Sequence, residues 1–140
     1  FQSDGCAPIV QAFVAGEKLA PPFEIAHTEA SGLRVPVAVG DFMILDAVRE
    51  SGGCAVTAPE SCIAGWMEHL AKLEGLAICP ETAICMGALD QLLANGTIRP
   101  SDRVLIFNTG GAMKYPDLIE EPTRHLDLAQ SPNWQTLAEG

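Results

Sequence analysis

Several things are scarce or missing in this sequence, and each absence narrows the reading. No apolar run approaches the roughly 18 residues that a membrane-spanning helix needs, although hydrophobic residues make up 48% of the 140 and mean hydropathy is +0.19. Basic residues are few, with 8 Lys and Arg against 18 Asp and Glu and a net charge of −10. They are scattered singly, so no basic stripe exists to replace phosphate counterions, which argues against nucleic acid as a partner. The five cysteines (Cys6, Cys54, Cys62, Cys79 and Cys85) form no C-x-x-C pair and no metal-ligand spacing. The last four of them lie among apolar neighbours, read as reduced core thiols, and fit a cytoplasmic protein. His27, His69 and His125 adjoin no serine or cysteine in a nucleophile motif and read as structural or exposed. The expected catalytic and metal sets are therefore empty. No secretory leader is read at Phe1-Gln2-Ser3-Asp4, and a start on Phe inside an apparent strand reads as a fragment.

What is present is a strand-to-helix alternation. Pro8 at a first turn and Gly16 at a cap bound a helix over 7–15, with Ile9, Val10 and Phe13 on one face. Residues 17–40 carry Pro21, Pro22 and Pro36 and read as an irregular crossing with at most one short strand. Asp41 is expected to cap a helix with Ile44, Leu45 and Val48 inward, ending at Ser51-Gly52-Gly53. A strand at Cys54–Val56 should follow, then a capping box of Thr57 and Glu60 opening a helix to Glu74. Its inward residues would be Ile63, Trp66, Met67, Leu70 and Leu73. The cycle repeats with a strand at Leu76–Cys79 and a helix from Pro80 bearing Met86, Leu89, Leu92 and Leu93. Arg103–Phe107 reads as the clearest strand in the chain. Short apolar strands between amphipathic helices predict an α/β fold: a three-layer open sheet, mostly parallel, with helices on both faces. Residues 1–115 would form one domain, and 116–140 a polar tail, partly extended or disordered.

In such sheets ligands lie beyond the carboxyl ends of the strands. Small and hydroxyl residues fall there: Ser3-Asp4-Gly5, Thr57, Thr82, and above all Thr109-Gly110-Gly111. Glycines after a strand let a backbone approach a ligand closely. The same residues also suit a plain strand-to-helix turn, because neither G-x-G-x-x-G nor a Walker pattern is present.

A resemblance to a known family bears on that choice. Gln2-Ser3-Asp4-Gly5-Cys6-Ala7-Pro8-Ile9-Val10-Gln11-Ala12-Phe13 resembles the segment of threonine synthases that follows their phosphate-binding glycine loop. Ala30-Ser31-Gly32-Leu33-Arg34-Val35-Pro36 and Glu50-Ser51-Gly52-Gly53 are similar to later landmarks. Leu73-Glu74-Gly75 and Pro80-Glu81-Thr82-Ala83 resemble a glutamate-glycine and a proline-glutamate-glycine-alanine pattern, with Thr82 where glycine is common. Asn108-Thr109-Gly110-Gly111-Ala112-Met113-Lys114-Tyr115 is similar to the closing motif N-T-G-x-G-L-K-Y. The landmarks keep their order across residues 2–115.

The resemblance implies a tryptophan-synthase-β type fold (fold type II) binding pyridoxal 5'-phosphate between two α/β domains. It implies a lyase of amino-acid biosynthesis that converts O-phospho-L-homoserine and water to L-threonine and phosphate. Thr109 and Gly110 become the cofactor-binding residues, Thr109 presenting its hydroxyl to the pyridine nitrogen. A neutral hydroxyl suits an unprotonated ring nitrogen, where a carboxylate would favour the protonated ring. The family's cofactor-bearing lysine lies in an S-F-K type motif, and no Ser-Phe or Phe-Lys pair occurs here. Lys114 matches the closing-motif lysine, which does not carry the cofactor. By this reading the chain alone is inactive and does not hold the cofactor by itself. Its expected partners are a missing N-terminal half or complementary subunit and an amino-acid substrate, with a homo-oligomer also open. Two other readings stay open: a piece of another fold type II enzyme such as a threonine dehydratase or cysteine synthase, and a stand-alone, non-catalytic α/β module binding a small ligand or partner subunit.

Overall fold

Proline and glycine punctuate the helices largely where their backbone preferences place them. The structure, a computed structural model, describes residues 1–119 and Trp134. Helix α1 spans Pro8–Ala15; Pro8 sits in the first turn, where a missing N–H costs nothing, and Gly16 closes the helix at φ 74°. Helix α2 spans Asp41–Glu50. Asp41 is its first residue rather than its cap, and one carboxylate oxygen accepts the Phe42 N–H while the other accepts the Ala20 N–H at 2.6 Å. That second bond ties α2 to the segment leaving α1. Leu45 is fully buried with Ile9 and Ala12 in a small core that α1 and α2 share. Ile44, expected inward, is exposed and Val48 is half-buried.

The sheet consists of β1 (Gln2–Ser3) and β2 (Thr57–Ala58), paired in parallel with Gln2 opposite Thr57 and Ser3 opposite Ala58. β2 thus begins after the Cys54–Val56 segment expected to be the strand, although the Val56 carbonyl still accepts the Gln2 N–H at 3.1 Å. Thr57, being in the strand, caps no helix. Glu60 opens a 3-10 turn instead, and its carboxylate accepts hydrogen bonds from the Ser3 hydroxyl, the Thr28 hydroxyl at 3.0 Å and the Glu29 N–H. The Glu60 N–H donates to Asp4 at 2.9 Å. The expected capping box is thus replaced by a ring of bonds that pins residues 28–29 against the end of β1.

Helix α3 (Ile63–Glu74) ends at Gly75 in the left-handed conformation, as expected. It buries Ile63 and Met67, with Trp66 and Leu70 half-buried, but Leu73 is exposed. Helix α4 (Pro80–Ala94) is the best buried, inward through Thr82, Ala83, Ile84, Gly87, Ala88 and Leu92. Its small residues admit close neighbours: a Cβ on Gly87 would stand 3.3 Å from the Cβ atoms of Ala58 and Cys62, and closer still to the Cys62 Sγ. Of the residues expected inward here, Leu92 is buried, Met86 and Leu89 are half-buried and Leu93 is exposed. The alanine and glycine face wins because α3 and β2 approach too closely for larger side chains. Ala83, Ile84 and Ala88 join Ala30, Ala58, Ile63, Met67, Ile78 and Ala112 in the main core.

Two expected strands do not form. Leu76–Cys79 contributes a single antiparallel bridge between Ile78 and Gly111, and Leu76 is exposed. Arg103–Phe107 pairs with nothing among the described residues, and Leu105 and Phe107 are each 77% exposed. The physical reason is general: a strand is stabilised by its neighbours, and the ladder present is only two residues long. Among the described residues the architecture is therefore a small α/β unit of four α-helices around one short parallel sheet. Cys54 is exposed rather than in the core, while Cys6 and Cys79 are buried. Pro116–Leu118, placed in the expected tail, forms a 3-10 turn whose Leu118 packs on the main core. The rest of that tail, apart from Ile119 and exposed Trp134, lies outside the described residues, as does His125.

The α3–α4 approach makes a direct prediction. Gly87→Ala should lower unfolding free energy by about 1–3 kcal/mol through overpacking against Cys62 and Ala58. Cys62→Ala in the same chain removes the nearest atom and should recover part of that loss. A double-mutant cycle by urea denaturation measures the coupling; additive losses would place the strain elsewhere.

Candidate functional site

The first turn of α4 faces the segment that carries Thr109 and Gly110. Cys79 precedes the helix, Pro80 fixes its first residue, and Thr82 lies one turn in with its side chain 3% exposed as a residue. The Thr82 hydroxyl donates to the Asn108 side-chain oxygen at 2.8 Å. The Cys79 sulfur lies 3.3 Å from the Thr82 oxygen and 3.8 Å from the same Asn108 oxygen. Three residues beyond Thr109, the Ala112 N–H donates to the Ala77 carbonyl at 3.0 Å. The turn is thus fixed on both sides by residues of, or just before, α4.

A second set of bonds holds the far end of the segment. The Tyr115 hydroxyl donates to a Glu81 carboxylate oxygen at 2.5 Å, and the Gly32 N–H donates to the same oxygen at 2.9 Å. Having only one proton, which it gives to Glu81, the Tyr115 hydroxyl accepts the Ser31 hydroxyl at 2.9 Å. Burial alone would raise the Glu81 carboxyl. The bonds from Tyr115, from its own amide and from Gly32 outweigh it, so the group sits below its ordinary value. The Tyr115 phenol is raised, chiefly because its proton is held by Glu81, with Ser31 opposing. Both shifts describe one bonded pair, an ionised carboxylate held by a neutral phenol.

Thr109 itself is exposed, and its hydroxyl has no partner among the described residues. Gly110 is half-buried, and a Cβ there would lie 3.5 Å from Cys79 Cβ and 3.8 Å from Lys114 Nζ. The other expected hydroxyl residues separate from this site. Ser3 and Asp4 bond with Glu60, and Thr57 lies in β2 with its carbonyl taken by Gln91. Asn108, Glu81 and Tyr115 are the residues that sequence reasoning passed over, although each lies inside a quoted landmark. A polar residue flanking a glycine turn was the available signal. An apolar groove of about 710 Å³ lies between α3 and Met113, Leu118 and Ile119, and Thr109 does not line it. Among the described residues no group of His, Cys, Asp and Glu could hold a metal ion, and no helix is long and apolar enough to cross a membrane.

Removing the phenol tests this latch. Tyr115→Phe should cost about 0.5–1 kcal/mol near neutral pH, a charged hydrogen bond discounted for the solvent that reaches Glu81. Glu81's lowered value contributes stability above the unfolded carboxyl's pKa of about 4.3, lost as pH falls through the folded value. Tyr115's raised value contributes stability below about 10, lost as pH rises through the folded value. The gap between wild type and variant should therefore be widest at intermediate pH and close at both ends. Urea denaturation across pH, with a carboxyl titration of Glu81 by NMR, measures it; a pH-independent gap would deny the pair.

The Pyridoxal-phosphate dependent enzyme family profile matches residues 1–110. The threonine synthase of Methanosarcina acetivorans is 34% identical over 126 residues, covering 87% of this chain and 31% of that protein. The threonine synthase of Methanocaldococcus jannaschii is 33% identical over 127 residues, covering 88% of this chain and again 31% of that protein. The chain therefore spans about a third of the length of these relatives. The matched region includes β1, all four helices and the turn at Thr109 and Gly110, so the resemblance covers the α4 anchor as well as the glycine turn. This chain belongs to the family of pyridoxal-phosphate-dependent enzymes.

Proposed function

We propose that this chain supplies part of the large α/β domain of a threonine synthase, acting on O-phospho-L-homoserine and water to give L-threonine and phosphate. The observation that carries this reading is the similarity to two threonine synthases over most of the chain, together with a turn at Asn108–Tyr115 that the structure holds at both sides. In this proposal the remaining length of such an enzyme brings the cofactor's lysine and its phosphate loop. It also supplies strands beside Arg103–Phe107, completing the three-layer, mostly parallel sheet of fold type II. Residues 1–115 would be the domain portion, and the assembled enzyme a cytoplasmic lyase, in which a homo-oligomer is also proposed.

The residues present fit one edge of pyridoxal phosphate. Thr109 offers an exposed hydroxyl with no competing partner among the described residues, next to half-buried Gly110, where a Cβ would stand in ordinary contact with Cys79 and Lys114. When bound, the cofactor supplies an electron sink for carbanion chemistry on an amino acid. Thr109's part is to donate its hydroxyl proton to the pyridine nitrogen without charging the ring. Gly110 lets the backbone lie close to the ring, and the α4 turn keeps both in place. Lys114 is exposed and, matching a lysine that does not carry the cofactor, is assigned no covalent role.

Two measurements test this reading. Incubated with pyridoxal phosphate and reduced with borohydride, the chain alone should show no stoichiometric label on Lys114; selective labelling there would overturn its assignment. In the assembled enzyme, obtained by co-expression with an N-terminal portion or from a longer reading frame, Thr109→Val should lower cofactor affinity or turnover roughly ten- to a hundredfold. Thr109→Ser should retain most activity, and Thr109→Asp should shift the cofactor absorbance. Full activity and unchanged absorbance in the valine variant would remove Thr109 from the cofactor site.

A further inference from the structure

Asn108 stands at the junction between the buried start of α4 and exposed Thr109, and its carboxamide has two chemically different ends. The structure places its oxygen inward, 2.8 Å from the Thr82 hydroxyl. A hydroxyl that donates to this oxygen can accept the Cys79 S–H, which lies 3.3 Å away, so the donors run Cys79 to Thr82 to Asn108. Thr82 and Cys79 are 3% and 1% exposed, so bulk solvent does not compete for either bond. Asn108 is itself exposed, and its amide nitrogen has no partner among the described residues. With the oxygen committed inward, the NH2 group is the end of the carboxamide left without a partner among the described residues.

We infer that Thr82 is a positioning residue for the site. Its buried hydroxyl sets the orientation of the Asn108 carboxamide, which leaves the Asn108 NH2 and the adjacent Thr109 hydroxyl as two hydrogen-bond donors, unpartnered among the described residues, for acceptor atoms of the bound molecule. This rests on the proposed role of the Thr109 turn and deepens it, since Thr82 touches neither cofactor nor substrate. The arrangement explains a threonine in the first turn of a tightly packed helix. Such a hydroxyl usually bonds back to its own helix, whereas here it reaches 26 residues along the chain to Asn108. The helix backbone is indifferent to the choice, because the Thr82 N–H is already satisfied by the Cys79 carbonyl at 3.0 Å. The opposite orientation, with NH2 inward, would make the Thr82 hydroxyl an acceptor and leave its proton to a thiol sulfur, a weak acceptor.

The test needs only the full chain, labelled with 15N for NMR. The Asn108 NH2 protons should exchange with water at the rate of an exposed asparagine; an inward NH2 would be slowed roughly fivefold by one hydrogen bond. Thr82→Val keeps the side-chain shape but removes the donor, and should shift the Asn108 side-chain pair and the Thr109 and Gly110 backbone amides and broaden them. Thr82→Ser restores the hydroxyl and should restore those signals. A merely structural role for Thr82 would lower the melting temperature in the valine variant while leaving the Asn108, Thr109 and Gly110 signals in place, and that outcome overturns the inference. Slow exchange of the wild-type NH2 group overturns it as well. Neither readout involves the cofactor, so a failure of the cofactor assignment would show in the Thr109 variants and not here.

Discussion

The close packing of α4 is the interaction on which the rest of this structure depends. Ala83, Gly87 and Ala88 present almost no side chain, so β2 and the 3-10 turn that leads into α3 come near enough for Ala58 and Cys62 to touch the helix surface. That proximity fixes where α4 begins, and its first turn in turn fixes the segment from Asn108 to Tyr115. Glu81 and Thr82 are adjacent in sequence but point their bonds to opposite ends of that segment. A helix start thus serves as a two-point anchor. The anchor is stiff because Pro80 sets the entry angle and the main core lies directly behind it.

Helix punctuation was legible in the sequence because it is local chemistry. Pro8, Gly16, Gly75 and Pro80 act through their own backbone preferences, which no distant contact has to supply, and they fall at or next to the expected helix ends. The strands were not legible in the same way. Arg103–Phe107 has every local mark of a buried strand, yet strand formation depends on a neighbour that periodicity does not reveal, and the described residues give it none. The face of α4 was legible only in part, for a related reason. Leu92 is buried as expected, but counting large apolar residues also favours Met86 and Leu93, whereas the closest helix contact selects for alanine and glycine.

The site divides along the same line. Thr109 and Gly110 stood out as a hydroxyl and a glycine after an apolar run, and they do form an accessible turn beside the start of α4. What secures that turn was hidden, because Thr82 to Asn108 and Glu81 to Tyr115 are contacts across 26 and 34 residues. The capping box at Thr57 and Glu60 shows the reverse error. Spacing alone suggested a local bond, and the carboxylate instead satisfies donors from Ser3, Thr28 and Glu29.

The unpaired segment at 103–107 has a consequence for the chain in solution. Val104, Leu105 and Phe107 present an apolar, proline-free stretch whose backbone donors and acceptors find no partner among the described residues, the kind of surface on which copies of a chain add to one another edge to edge. Against this stand Asp102 and Arg103 at its entrance, as gatekeepers, and a net charge of −10 that keeps copies apart. Self-repulsion of this kind is long-ranged only at low ionic strength, since about 0.15 M salt confines it to roughly 8 Å. Colloidal stability of the isolated chain is thereby tied to salt and pH: dilute buffer well above the isoelectric point keeps it dispersed, while high salt or mild acid leaves the apolar edge unopposed.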